Sequence, residues 1–314
     1  GFKQAMGRIA IVQPYIPQDV KWDPARAPAI LEILQKTTLE AAVTRPDLIL
    51  WPEAVTPLAV RGDATIKAWV EALVQKAKVP VLLGSIAIEE PNTPREQWFN
   101  GAFLVTPAEG VAAKYYRKRQ LVPFGEFVPL RPVLGWLSKF VPIGGDFSRG
   151  EDSAPILLTL RAQPVVFGPL ICYEDVYPQL ARHSALGGAG VLAVLTNNGW
   201  FGEGGAAYQH AAHAVLRAVE TRRPVLRCGN GGWSGWIDEF GAVRNTMVND
   251  AERIYFRGTK VIEVSRDVRW IERNSVYTDY GDWFILVAAG LVMFSVAILK
   301  MNEAPAPPAA PIDL

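Results

Sequence analysis

Val165-Val166-Phe167-Gly168-Pro169-Leu170-Ile171-Cys172-Tyr173-Glu174-Asp175 is the stretch on which the fold turns. An apolar, β-branched run drives into a cysteine, and acidic residues and then Pro178 follow. The pattern predicts a buried strand ending in a sharp turn, with the thiol presented at the strand's C-terminal edge. A strand-to-helix turn is where an α/β enzyme exposes a nucleophile while the sheet holds it rigid. The same residues suit a core cysteine acting as a small hydrophobe, the commoner fate of a free cysteine. This stretch alone leaves both readings open.

Two further segments bear on the choice. Pro46-Asp47-Leu48-Ile49-Leu50-Trp51-Pro52-Glu53 is another short apolar strand that ends at a carboxylate. A Glu fixed at a strand end in apolar surroundings has a raised pKa, which suits a general base, although Glu after a strand is more often a solvated loop residue. The third segment runs from Lys114 through Tyr116, Lys118 and Gln120 into Leu121-Val122-Pro123-Phe124-Gly125-Glu126-Phe127-Val128-Pro129. Its basic start also fits a solvated surface or a phosphate-facing patch. The loop that follows is too apolar for an exposed loop, so it is expected to pack and to carry Lys118 and Glu126 with it.

Glu53, Lys118 and Cys172, each at a strand edge and in that chain order, resemble the constellation of the nitrilase superfamily. Trp51-Pro52-Glu53, the Tyr116-to-Pro129 motif and Ile171-Cys172-Tyr173-Glu174 are similar to motifs of the apolipoprotein N-acyltransferase family. Ile16-Pro17-Gln18-Asp19-Val20-Lys21-Trp22, and Trp200-Phe201-Gly202 followed by Gln209-His210, agree with it. The likeness runs over roughly residues 8–285 in the family's order. There are departures. Asn198 stands where the family usually has Asp, and Gln120 where many soluble nitrilase relatives have His. Family members also carry several membrane helices ahead of the catalytic domain, whereas this chain begins Gly1-Phe2-Lys3. The expectation is a fragment, or a split or shortened relative, completed by a separate N-terminal membrane portion.

The resemblance implies a four-layer α-β-β-α sandwich and a C-terminal transmembrane helix. It implies catalysis by Glu53 as base, Lys118 beside the oxyanion and Cys172 as nucleophile, through a thioester. Glu126 would orient Lys118 or the base, with Glu174 and Tyr173 supporting the site and Phe124, Trp200 and Phe201 forming an apolar substrate rim. The implied acyl donor is a phospholipid and the acceptor a diacylglyceryl-modified lipoprotein, with no metal and no organic cofactor. The implied location is the bacterial inner membrane, with the catalytic domain on the periplasmic side. Two alternatives remain: a soluble carbon-nitrogen hydrolase with the same triad and water as acceptor, and a catalytically dead interaction domain.

Composition narrows the classes. The chain has 314 residues, half of them apolar, which is ample for a large core. A net charge of +1, with arginines scattered and not interleaved with aromatics, gives no argument for nucleic acid. Two cysteines and three histidines exclude a disulfide framework and offer no clustered metal pattern. Cys228, in Pro224-Val225-Leu226-Arg227-Cys228, reads as strand core.

Strand-like runs are expected over Arg8–Gln13, Leu48–Trp51, Val81–Ile88, Phe99–Thr106, Ile156–Leu160, Val165–Ile171, Val191–Thr196 and Pro224–Cys228. Helices are expected over about Ala27–Val43, Thr65–Ala77, Val133–Phe140, Pro178–Leu186 and Ala206–Thr221, the last with an Arg217–Glu220 pair. Such alternation argues for an α/β fold. The Gly-rich stretches Asn198–Gly205 and Gly229–Gly235 lack a phosphate-loop signature and read as active-site or packing loops. Trp233 and Trp236 fit either the substrate rim or packing. Trp283 to Leu299 carries no charge and is long enough to span a bilayer, which takes roughly 17–25 residues. Tyr280 and Trp283 stand at one end of it and Lys300 at the other. The expected division is a lead over 1–7, a catalytic domain over 8–282, a membrane helix over 283–299 and a disordered Pro/Ala-rich tail over 300–314.

Overall fold

The computed structural model describes residues 2–130 and 147–302. Two sheets are stacked with helices outside them. The first sheet holds β1 (Lys3–Gln13), β2 (Leu48–Leu50), β3 (Val81–Glu89), β4 (Gln97–Thr106), β5 (Gly110–Val111), β6 (Tyr116–Arg117) and β13 (Gly258–Asp267). Its order is β13-β1-β2-β3-β4-β5, and β6 also pairs with β4. The second contains β7 (Ile156–Leu160), β8 (Gln163–Ile171), β9 (Val191–Thr196), β10 (Val225–Gly229), β11 (Gly235–Ile237) and β12 (Val243–Thr246), ordered β12-β11-β10-β9-β8-β7.

Strand alternation builds the layers. Ile9, Ile11, Leu48, Leu50 and Leu82 face the second sheet and pack with Phe167, Ile171, Ala193, Leu195, Leu226 and Cys228. Ala10, Val12, Ile49, Val81 and Leu83 point the other way and pack with Ile30, Leu34, Val70 and Leu73. Those last four come from α2 (Ala27–Val43) and α3 (Ala64–Ala77), while α1 is the single turn Gln18–Lys21. The Asp63 carboxylate caps α3 by accepting from the Ile66 N–H at 2.9 Å. On the second sheet, α4 (Pro178–Leu186) and α5 (Ala206–Thr221) supply Ala181, Ala207, Ala211, Ala214 and Ala218 to a third cluster with Leu170, Leu192 and Val194. Small residues at helical spacing let α5 lie close to the sheet. The result is the expected α-β-β-α sandwich.

The expected strands and helices are present, apart from Val133–Phe140 and the tail beyond residue 302, which lie outside the described residues. Some strands were not foreseen. β13 has polar residues between its apolar ones, so its run looks weak in sequence. It pairs antiparallel along the whole of β1, from Lys3 opposite Asp267 to Gln13 opposite Gly258. With that partner β1 starts at Lys3 rather than near Arg8, and a register shift between Ala5 and Gly7 absorbs the irregularity. β5, β6, β11 and β12 are too short to leave a periodic signature.

After the sandwich come α6 (Val276–Tyr280) and α7 (Trp283–Met301). α6 is docked, because the Arg182 guanidinium donates to the Tyr277 and Asp279 carbonyls at 3.2 and 2.9 Å. α7 buries none of its residues. Each Leu, Ile, Phe or Met side chain left in water forgoes about 1.5–3 kcal/mol of transfer free energy.

Candidate active site

The ends of β2, β6 and β8 bring Glu53, Lys118 and Cys172 together. Glu53 lies just past β2, in a fully buried turn. The Trp51 indole N–H donates to the Thr38 hydroxyl at 3.0 Å, and the Pro52 carbonyl accepts from the Gly84 N–H at 3.2 Å. Gly84 is required here. A Cβ on it would stand 2.5 Å from the Pro52 carbonyl oxygen, 2.6 Å from Glu53 Cα and 2.9 Å from the Ala54 nitrogen. The Glu53 turn therefore crosses β3 at main-chain contact.

Lys118 follows β6 directly and is 1% exposed. Its Nζ donates to Glu53 Oε1 at 3.1 Å and to Glu126 Oε1 at 2.8 Å, so one ammonium is shared by two carboxylates. Glu126 is fixed in turn by the Val122 N–H, which donates to its Oε2 at 2.8 Å. The Asn100 amide donates to Glu53 Oε1 at 2.8 Å and to Glu126 Oε1 at 3.0 Å. The Asn197 N–H donates to Glu53 Oε2 at 2.9 Å. Asn100 was not foreseen in this role. Its one local signal is an amide in the middle of an otherwise apolar strand, Phe99-Asn100-Gly101-Ala102-Phe103.

Cys172 sits where β8 breaks into a turn of 3₁₀ helix, with φ of +50°. That left-handed backbone is unusual for a residue bearing a Cβ, and it lifts the thiol off the strand line. Glu174 holds the turn. Its buried carboxylate accepts from the Ile171 N–H (2.7 Å), the Tyr116 hydroxyl (2.6 Å), the Arg119 N–H (2.6 Å) and the Gln120 N–H (3.0 Å). Glu174 thereby ties the Cys172 turn to the Lys118 segment. The main-chain N–H of Gln120 is part of that bond set. Tyr173 packs edge-on against Tyr177 at 5.1 Å.

Beneath the turn, His210 Nε2 lies 2.8 Å from Asp175 Oδ1 and 3.1 Å from the Cys172 carbonyl, and its Nδ1 lies 2.9 Å from Asn198 Oδ1. Arg227 pairs with the other Asp175 oxygen, with both side chains buried. The expected Arg217–Glu220 pair forms at 2.6 Å, and Arg217 also donates to the Asp175 and Val176 carbonyls. Asp175 and its buried partners were not foreseen, because they meet only through the fold.

The charges correct one expectation. Burial pushes the Glu53 carboxyl up, but Lys118, Lys21 and Asn100 outweigh it and hold the group below the ordinary carboxylate range. Burial likewise disfavours the Lys118 ammonium, yet Glu53 and Glu126 raise its pKa well above normal. Burial, then the Glu53 charge, push the Cys172 thiol up to about 12, against Lys118 and the Thr196 hydroxyl. At rest the site thus holds a neutral thiol beside a carboxylate–ammonium group. Cys228 lies within the core, its thiol 3.4 Å from the Val12 and Leu50 carbonyls, and burial raises its pKa further still.

Phe124, Trp200 and Phe201 are 42%, 56% and 65% exposed. Phe124 lies in the loop that carries Glu126, and Trp200 and Phe201 in the 3₁₀ turn after Asn197. Trp233 and Trp236 are buried, which resolves their two readings in favour of packing.

The chain matches the model of the carbon-nitrogen hydrolase family over residues 8–265. Among curated proteins it is 32% identical over 298 residues to an apolipoprotein N-acyltransferase of Geobacter metallireducens, covering 94% of this chain and 54% of that one. It is 34% identical over 242 residues to an apolipoprotein N-acyltransferase of Azotobacter vinelandii, covering 76% and 45%. The chain spans about half the length of the curated relatives it matches. Among solved structures it resembles an amidase from Nesterenkonia sp., with a TM-score of 0.59 at 18% identity over 86% of this chain and 94% of that one. A variant of the Nesterenkonia AN1 amidase of the nitrilase superfamily aligns with a TM-score of 0.60 at 17% identity, covering 85% and 94%. The two structures speak to the fold.

Proposed function

The chain belongs to the carbon-nitrogen hydrolase family, and on that premise we propose that it supplies the catalytic domain of an apolipoprotein N-acyltransferase. The acyl group moves from a phospholipid to Cys172 and then to the α-amine of a diacylglyceryl-cysteine at a lipoprotein N-terminus. The observation that carries this reading is the buried Lys118 ammonium shared by Glu53 and Glu126, in a chain whose curated relatives bear that name. The exposed rim of Phe124, Trp200 and Phe201 suits an acyl chain, and the exposed apolar α7 suits a lipid bilayer.

In the first half-reaction the Cys172 sulfur attacks the ester carbonyl while Glu53 accepts the thiol proton. Lys118 stabilises the tetrahedral oxyanion from a dry, fixed position. As the C–O bond breaks, Glu53 returns the proton to the leaving alkoxide, which departs as a lysophospholipid alcohol. In the second half the free amine attacks the thioester and its proton passes to Glu53. As the C–S bond breaks, Glu53 gives that proton to the leaving sulfur, which restores both the thiol and the carboxylate. A resting thiol pushed up to about 12 is quiet until a carbonyl is bound beside Lys118.

The test is mass spectrometry on the Cys172 peptide. Phospholipid alone should leave an acyl mass on Cys172 that persists, because the acyl chain laid over the exposed Phe124, Trp200 and Phe201 rim would keep water from the thioester. A diacylglyceryl-cysteine peptide with a free amine should discharge it, and the same peptide with a blocked amine should not. Hydrolysis of the thioester at equal rates with and without the free amine would replace the transferase with a carbon-nitrogen hydrolase that uses water.

A further inference from the structure

Lys21 is a second lysine at the Glu53–Lys118–Cys172 group, and the chemistry above leaves it without a task. It ends α1 and is 3% exposed. Its Nζ donates to the Glu53 main-chain carbonyl at 3.2 Å. The turn that carries it is held on both sides. The Asn197 amide donates to Gln18 Oε1 at 2.8 Å, and Asn230 bonds both the N–H and the carbonyl of Ile16, at 3.0 and 2.7 Å. Asn197 is the same residue whose N–H reaches Glu53 Oε2.

Charge counting shows why a second cation belongs there. Glu53 and Glu126 are two carboxylates on one ammonium, which leaves one negative charge unbalanced in a buried group. During attack the thiol proton moves onto Glu53 and a negative charge appears on the substrate oxygen, so the sum is unchanged. Without another cation that oxyanion would form inside a net anionic cluster, where low local dielectric magnifies the repulsion. Over Glu53, Glu126, Lys118 and Lys21 the sum is then zero both before and after attack.

We propose that Lys21 is a positioning residue of this site: a buried ammonium that balances Glu53 and Glu126 and holds the Glu53 turn in place while the oxyanion forms. The proposal rests on the Glu53–Lys118–Cys172 reading of the preceding subsection. Lys21 acts only when protonated. Burial lowers its pKa to about 8, against the charges of Glu53 and Cys172 and with that of Lys118. Among the described residues, the titratable groups that face it from the other elements are the Glu53 carboxylate, the Lys118 ammonium and the Cys172 thiol, with Glu126 behind Lys118. Glu53 lies below the ordinary carboxylate range, Cys172 is near 12 and Lys118 is higher still. Of Lys21, Glu53, Cys172 and Lys118, Lys21 alone titrates near neutral pH.

The experiment measures acyl-Cys172 formation from phospholipid in a single turnover, without acceptor amine, across pH 6 to about 10, together with the rate of Cys172 alkylation by iodoacetamide. In the wild type, acylation should fall as pH rises through about 8. Lys21→Arg keeps a cation at all these pH values, so it should move that alkaline limb upward by about one unit or more. Lys21→Met fills the space without charge and should slow acylation about tenfold or more at pH 7, the equivalent of one pKa unit. It should also slow alkylation, because the thiolate loses a neighbouring cation. Lys21→Gln, which retains an N–H but no charge, should behave as Lys21→Met. Full activity in Lys21→Gln would reduce the residue to a hydrogen-bond donor and overturn the proposal. An alkaline limb unmoved in Lys21→Arg would overturn it even if the Met and Gln variants failed to fold. If the wild type forms no acyl-Cys172 at all, the transferase reading fails, and the alkylation rates still decide the role of Lys21.

Discussion

At the scale of single residues, the two cysteines separate cleanly. Cys172 ends β8 with a left-handed backbone beside Lys118, while Cys228 is enclosed between the sheets. Cys172→Ala is expected to abolish acyl transfer with the circular dichroism spectrum unchanged, and Cys228→Ala to retain it. Loss of activity in the second variant alone would reverse the assignment. Lys118→Ala should lower kcat by roughly 10²–10³, the usual cost of one preorganised oxyanion donor. Lys118→Arg should not restore it, since a planar fork does not fit a buried point-charge position between two carboxylate oxygens. The pH dependence follows from Glu53. An unfolded Glu titrates at about 4.3, and the folded carboxyl lies below that. Its stabilising contribution is therefore complete above about pH 4.3 and is lost as pH falls through the folded value. In the proposed mechanism Glu53 stays ionised at mildly acidic pH, so acylation of Cys172 should be flat from about pH 5 to 7. A limb centred near pH 6 that disappears in Glu53→Gln would show a raised carboxyl instead. The candidate triad was legible in sequence because Glu53 and Cys172 each close a short apolar run and Lys118 leads into a loop too apolar to be exposed. The sign of the Glu53 shift was not, because it is set by Lys118 and Lys21, far off in the chain.

At the scale of elements, the site depends on how closely strand ends approach one another. Gly84 lets the Glu53 turn lie on β3, and the atoms that a Cβ would strike are all backbone. Gly84→Ala should therefore destabilise the domain by about 1–3 kcal/mol, as overpacking does, and should lower acylation more than its effect on stability explains. Urea unfolding and single-turnover acylation measure the two effects separately. A variant with wild-type values for both would show that the turn has slack. Most strands and helices announced themselves by apolar runs and 3.6-residue periodicity. β13 did not, since Lys260, Glu263, Ser265 and Arg266 interrupt its apolar face, and only pairing with β1 makes it a strand. Asn100 shows the same limit: its amide in the middle of β4 reads as a packing irregularity until Glu53 and Glu126 are placed beside it.

At the scale of the whole molecule, the sandwich and α7 are separable. Thr278 on α6 is buried, whereas nothing on α7 is, so the domain should close near Asp282. Deleting residues 283–314 is expected to release a soluble domain with an unchanged unfolding midpoint. The full chain should instead sediment with bilayers when no detergent is present. A full chain that stays monomeric in the supernatant would remove the membrane role of α7.

What the sequence by itself determined is what short-range patterning encodes. Apolar runs of strand length, helical spacing in Ala206–Thr221, the uncharged Trp283–Leu299 stretch and the motifs around Glu53, Lys118 and Cys172 are all contained within a few neighbouring residues. Tertiary structure alone decided that one Lys118 ammonium bridges Glu53 and Glu126, how the Glu53 pKa moves, that Glu174 bolts the Cys172 turn to the Lys118 segment, and that Trp233 and Trp236 pack inside. The physical reason is distance. Periodicity acts over one or two turns of chain, whereas charge balance, burial and hydrogen-bond partnership act through space between segments that only the stacked sheets bring within a few ångströms.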